Sequence, residues 1–217
     1  MGVENAPAVD CSLCPRLAAF RRDNRQQYPA YHNNPVPSFG SLNARLLVVG
    51  LAPGLHGANK TGRPFTGDYA GDLLYPTLAT HGFATGTYGR HVGDGFTLTD
   101  CRISNAVRCV PPANKPTPEE IQTCRPFLER EIAAMPDLKI ILTLGRIAHD
   151  SALRALGCRL AAHPFAHAAV HRIGQRMVID SYHCSRYNTN TGRLTAAMFA
   201  DVLAQCRKYL EKGTRFL

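Results

Sequence analysis

The chain has 217 residues, with 25 lysines and arginines against 16 aspartates and glutamates, a formal net charge of +9. That length suits one well-buried domain over residues 1–217 and is short for two. The basic balance favours a polyanionic partner, and no apolar run approaches the ~20 residues that cross a bilayer, so membrane association is not expected. The start, Met1-Gly2-Val3-Glu4-Asn5, lacks the basic and apolar stretches of a secretion signal, so a cytoplasmic protein is expected. In a reducing compartment the 8 cysteines point to free thiols or metal ligands rather than disulfides.

In chain order, the first feature is Cys11-Ser12-Leu13-Cys14-Pro15, one pair of thiolates close enough to grip a metal centre. Leu46 to Gly50 reads as a buried central strand that breaks into a loop rich in glycine and proline, running to Asp68. A loop of this kind, leaving the C-terminal edge of a sheet, suits close approach to a ligand. A helix follows from Gly71 to His81, then a shorter strand over Ile103 to Cys109. Thr117-Pro118-Glu119-Glu120 combines an N-cap, a first-turn proline and first-turn acids, predicting a helix to about Met135. Lys139 to Gly145 repeats the pattern of an apolar strand ending in glycine, and it enters a helix from Arg146 to Leu156. A fourth strand spans Arg176 to Asp180, and a last helix spans Leu194 to Leu210. Strands alternating with helices give an α/β fold, a three-layer α/β/α sandwich with a small, mostly parallel four-stranded sheet.

Two constellations carry chemistry. Cys109 and Cys124 can join Cys11 and Cys14 as four thiolates, a set that both a zinc ion and an iron-sulfur cluster accept. Directly after the fourth strand, Ser181-Tyr182-His183-Cys184-Ser185-Arg186-Tyr187-Asn188-Thr189-Asn190-Thr191-Gly192-Arg193 gathers hydroxyl, amide and guanidinium groups around one histidine. Such a segment suits a clamp on a nucleic-acid backbone. The first loop lacks the Gly-Lys-Ser/Thr ending of a P-loop, which weakens the reading as a zinc-held nucleotide enzyme.

Taken together, Gly50-Leu51-Ala52-Pro53-Gly54-Leu55-His56-Gly57-Ala58-Asn59, Thr61-Gly62-Arg63-Pro64-Phe65-Thr66-Gly67-Asp68 and Asn188-Thr189-Asn190-Thr191-Gly192-Arg193-Leu194-Thr195 resemble the uracil-DNA glycosylase superfamily, specifically its iron-sulfur-containing family 5 branch. The resemblance extends over nearly the whole chain. It implies a monomeric DNA-repair hydrolase that flips uracil, and other deaminated bases such as hypoxanthine and xanthine, out of DNA and cuts the N-glycosidic bond. It also implies a [4Fe-4S] cluster on Cys11, Cys14, Cys109 and Cys124.

Other branches carry an acidic or amide residue at the position of Ala52, whose methyl group cannot orient water. The resemblance therefore moves the polar work to Asp68, Asn114 and His183. Gly50, Ala52 and Gly54 would offer backbone groups to the base, Phe65 would stack on it, and Asn105 would read its edge. Each has a plainer alternative: Asp68 as the N-cap of the next helix, Phe65 as core, and Asn105 as a strand-end cap. Lys60, Arg63, Ser185, Arg186 and Arg193 are expected at DNA phosphates. One branch of the superfamily captures the sugar through a histidine, which makes covalent trapping through His56 the runner-up to turnover.

Overall fold

The computed structural model describes residues 6–212. Its elements are α1 (Pro15–Gln27), β1 (Phe39–Gly40), β2 (Leu46–Gly50), α2 (Ala58–Thr61), α3 (Tyr69–Thr80), β3 (Ala84–Thr85), β4 (Thr97–Leu98), β5 (Cys101–Asn105), α4 (Pro118–Ala133), β6 (Ile140–Leu144), α5 (Arg146–Ala155), β7 (Val170–Ile173), β8 (Arg176–Ser181), α6 (Arg186–Asn190) and α7 (Ala196–Glu211). The main sheet runs β1-β5-β2-β6-β8-β7. Its four inner strands are mutually parallel, and both edge strands are antiparallel to their neighbours.

The period-two burial of the strands builds the layers. Leu46, Val48, Ile140, Leu142 and Ile179 pack with Leu74 and Leu78 of α3 and Val202 and Leu203 of α7. The alternate residues Leu47, Val49, Ile141 and Val178 pack with Leu128 and Ile132 of α4 and Ala148 and Ala152 of α5. Fully burying each large aliphatic side chain contributes about 1.5–3 kcal/mol. Every strand residue of β2 and β6 is buried, the signature of a parallel sheet covered on both faces.

The sheet has six strands where four were expected. β1 is only two residues long, too short to leave a period. β7 is a half-buried edge that turns into β8 through Gly174 and Gln175, with Gly174 at positive φ, the geometry of a tight hairpin. The second expected strand, Ile103 to Cys109, instead ends at Asn105, where Ala106 and Val107 donate to the Gly50 and Leu51 carbonyls as the chain leaves the sheet. The first helix expected from the sequence, α3, starts at Tyr69, two residues before Gly71, because Asp68 caps it by accepting from the Gly71 amide. Helix α4 carries the full capping box between Thr117 and Glu120. Among the described residues, no helix is long and apolar enough to cross a membrane.

Candidate active site and cysteine pocket

Three of the four parallel strands, β2, β5 and β8, lead at their C-terminal ends into one cavity of about 830 Å³. Ala52, Gly54, His56, Phe65, Asp68, Asn105, Asn114, His183, Ser185 and Arg186 all line it, so ten residues singled out in the sequence converge. Gly50 lies just behind this wall. A Cβ there would stand 2.4 Å from the Phe65 ring and 2.5 Å from Asn105 Oδ1, so glycine is what lets those two side chains meet over the strand end.

Phe65 is buried yet faces the cavity, with its ring 6.1 Å from that of His183 and inclined by 33°. Its φ of 54° is unusual for a bulky residue and turns the ring inward. His183 follows β8 and Tyr182 and lies beside Gly145, the residue after β6, whose φ of 96° favours glycine. Burial pushes the His183 imidazole down to about 4, so it is neutral at physiological pH and offers one ring N–H as a donor.

Asp68 both caps and faces the cavity, so the two readings of this residue coexist. Its Oδ1 accepts from the Gly71 amide at 3.3 Å, and a Cβ at Gly57 would stand 2.6 Å from Oδ2. Burial raises its pKa, while the Gly71 and Ala70 amides oppose the shift. Asn114 sits on a single helical turn, Pro112–Asn114, where both Ala113 and Asn114 have positive φ.

Of the cations expected at phosphates, Arg186 lies at the cavity wall, 5.3 Å over the Tyr69 ring. Arg193 covers Tyr182 at 4.6 Å and Lys60 lies 5.5 Å from Tyr31, both outside the cavity lining. Ser185 caps α6 through its hydroxyl. Arg63 does not fit its expected role: it is buried, and its fork grips Asp94 at 2.7 and 2.9 Å. Its guanidinium lies 5.2–5.7 Å from the rings of Phe39, Tyr75 and Tyr88. A group so enclosed cannot reach a phosphate; it is an internal brace. Sequence reading also missed Arg90, on the cavity wall and paired with Asp72 at 2.8 Å, and Tyr187, an exposed aromatic beside Arg186. Neither stands out by type or spacing.

Cys11, Cys14, Cys109 and Cys124 line a second, small apolar pocket with Leu17, Val107 and Phe127. Burial, with the neighbouring thiols adding to it, pushes Cys14 up to about 11, while burial pushes Cys109 up to about 12. Arg21 donates to Cys109 Sγ at 3.3 Å and to the Cys11 carbonyl at 2.7 Å, supplying positive charge at the sulfurs. Among the described residues, the one group of three or more histidine, cysteine or carboxylate ligand atoms all within 4.8 Å of one another is His149, His171 and Asp180. The four sulfurs thus face one pocket without any three closing to that distance. Four thiols converging from three segments are a donor set that either a zinc ion or an iron-sulfur cluster accepts.

The His149, His171 and Asp180 group is self-contained. Asp180 accepts from Thr143 at 2.7 Å, His149 Nδ1 at 2.7 Å and His171 at 3.0 Å, and His149 Nε2 donates to the His163 carbonyl at 2.9 Å. Burial disfavours charge on His149, but Asp180 outweighs it and raises the pKa. The network ties β6, α5, β7 and β8 together just before His183.

The fold and the cavity define an α/β protein with its site at the C-terminal ends of parallel strands, and the comparisons name the family. The family model described as "Uracil DNA glycosylase superfamily" matches residues 37–207. The chain is 45% identical to a type-5 uracil-DNA glycosylase of Thermus thermophilus over 204 residues, 91% of this chain and 93% of the relative. It is 40% identical to one of Pyrobaculum aerophilum over 90% and 87% of the two chains, and 39% identical to one of Mycobacterium tuberculosis over 94% and 80%. The chain therefore belongs to the uracil-DNA glycosylase superfamily, within its type-5 branch.

Proposed function

We propose that this protein excises uracil from DNA by hydrolysing the N-glycosidic bond, leaving an abasic site. The observation that carries the reading is the meeting of Phe65, Asn105, Asp68 and a neutral His183 around one cavity at the parallel strand ends. A base reaches such a cavity only by leaving the stack. Phe65 then stacks on the base, and the Asn105 amide, with one donor and one acceptor, reads its edge. As the bond from sugar to base breaks, electrons move onto the base and positive charge develops on the sugar. His183 stabilises the departing base by donating a hydrogen bond, as a preorganised neutral donor does. Asp68, with Asn114 across the cavity, orients the water whose oxygen bonds to the sugar carbon, and the Asp68 carboxylate offsets the sugar charge and takes the water's proton.

Arg186 and Ser185, with Lys60 and Arg193 further out, contact phosphates, and exposed Tyr187 fills the gap that the extruded base leaves. The cavity also admits hypoxanthine and xanthine, whose carbonyl edges offer the same hydrogen-bond types. The protein acts as one domain and as a monomer in the cytoplasm.

Cys11, Cys14, Cys109 and Cys124 hold a [4Fe-4S] cluster. Its part is structural: Cys109 and Cys124 flank the loop that carries Asn114, and Cys11 and Cys14 precede α1, which Arg16 also ties to α4 through Glu120 at 2.7 and 2.8 Å. The test of function is incubation with oligonucleotides bearing uracil, hypoxanthine or xanthine, followed by alkali to cut abasic sites. Strand cutting at uracil is expected; intact strands for every lesion would refute the reading.

A further inference from the structure

We propose that Tyr88 is a positioning residue for base excision, its hydroxyl bridging two backbone groups of the turn that aims Phe65 into the cavity. The inference rests on the function proposed above. The Tyr88 hydroxyl accepts the Gly67 amide hydrogen at 3.1 Å and donates to the Phe65 carbonyl at 3.3 Å. Phe65, with φ 54°, and Gly67, with φ 87°, both lie in the left-handed region. For a phenylalanine that conformation is strained and persists where neighbours enforce it. Tyr88 is the side chain that ties both ends of this turn.

A second layer holds Tyr88. Its ring stacks on Tyr75 at 4.6 Å and meets the edge of Phe96 at 6.2 Å. The loop that carries it closes on Asp94, which accepts the Gly89 and Phe96 amides at 2.9 and 3.0 Å while paired with Arg63. Arg63 in turn donates from Nε to Thr66 at 2.7 Å, inside the same turn. The chain's own packing leaves space for this bridge: a Cβ at Gly71 would stand 2.5 Å from the Tyr88 hydroxyl and 1.9 Å from the Phe65 carbonyl. Tyr88 does not line the cavity, so it acts through Phe65 rather than on the base.

The test is a double-mutant cycle on the intact protein. Tyr88→Phe keeps the ring and removes the bridge; single-turnover uracil release should slow about tenfold, because small displacements at a reacting centre are expensive. Affinity for a duplex carrying a non-cleavable 2′-fluorinated deoxyuridine should change less than twofold, and the melting temperature should stay close to that of the parent. In a Phe65→Leu background, Tyr88→Phe should slow release by less than twofold, since the group it aims has gone. Overturning results are an unchanged rate in Tyr88→Phe, equal losses of rate and affinity, or the full tenfold effect persisting in Phe65→Leu. No release by the parent protein would instead refute the proposed function, so the two failures are distinguishable.

Discussion

The base cavity and the cysteine pocket both bury ionisable groups, with opposite consequences. In the cavity, burial lowers His183 to about 4 and leaves the neutral imidazole that the proposed mechanism requires. In the pocket, burial raises Cys14 to about 11 and Cys109 to about 12, so the thiolate form that binds metal exists only when a metal displaces the protons. Desolvation thus leaves one site in its neutral form, whereas the thiols of the other would ionise only against a bound metal. Their connection is the segment from Asn105 to Cys124, which lends one residue pair to each.

The largest effect expected on this contrast is at the pocket. Cys109→Ser should abolish the iron-sulfur absorbance and lower the yield of folded protein, while Cys206→Ser, on a buried thiol of α7 outside the pocket, should leave the absorbance intact. Equal iron content in both variants would remove the distinction. Next comes the buried brace: Arg63→Ala strands Asp94, whose side chain is 2% exposed, and should cost about 3–5 kcal/mol in denaturant unfolding. A loss below ~1 kcal/mol would return Arg63 to the surface role expected from sequence.

Inside the cavity, Asp68→Asn separates chemistry from capping, because asparagine caps as well as aspartate. Excision should fall by about 10²-fold with the melting temperature nearly unchanged. A lower melting temperature with the rate preserved would make Asp68 a cap alone. Smaller still, Arg186→Ala should weaken DNA binding and reduce the salt slope by about one counterion without altering the excision rate at saturation. A salt slope identical to the parent's would place Arg186 away from phosphates.

The pH response sharpens the same comparison. Folded His183 takes its proton near 4, whereas an unfolded histidine takes it near 6.5. Its contribution to stability is therefore complete above 6.5 and fades as pH falls toward 4. In catalysis it should give no acid limb near 6.5; any acid limb should lie lower, where His183 takes its proton and where Asp68, held above the ordinary carboxylate value by burial, also titrates. A rate that halves at pH 6.5 and follows one histidine proton would contradict the buried, neutral donor.

Much of the fold is legible in the sequence. Runs such as Leu46 to Gly50 and Ile140 to Leu144 are apolar throughout because both faces of the sheet are covered, and Thr117 with Glu120 announces a helix start. The cavity was legible because its groups sit at strand ends within long motifs. Helix α1 escaped notice because its buried positions include Arg21 and Asn24, so no apolar stripe marks it. Arg63 was misassigned for a related reason: its partner Asp94 lies in a glycine-rich loop with no period, and only the fold brings the two together. Tyr88 has the same character, since its importance lies in one hydroxyl and two backbone groups.

The most direct test of the central claim is single-turnover uracil release by the parent protein and by His183→Ala, measured beside DNA affinity. The parent should free uracil and leave an alkali-labile site, and His183→Ala should bind within twofold yet release uracil about 10²–10³ more slowly, the cost of one preorganised donor. Absence of uracil release by the parent, or a His183→Ala variant that keeps the parent's rate, would contradict it.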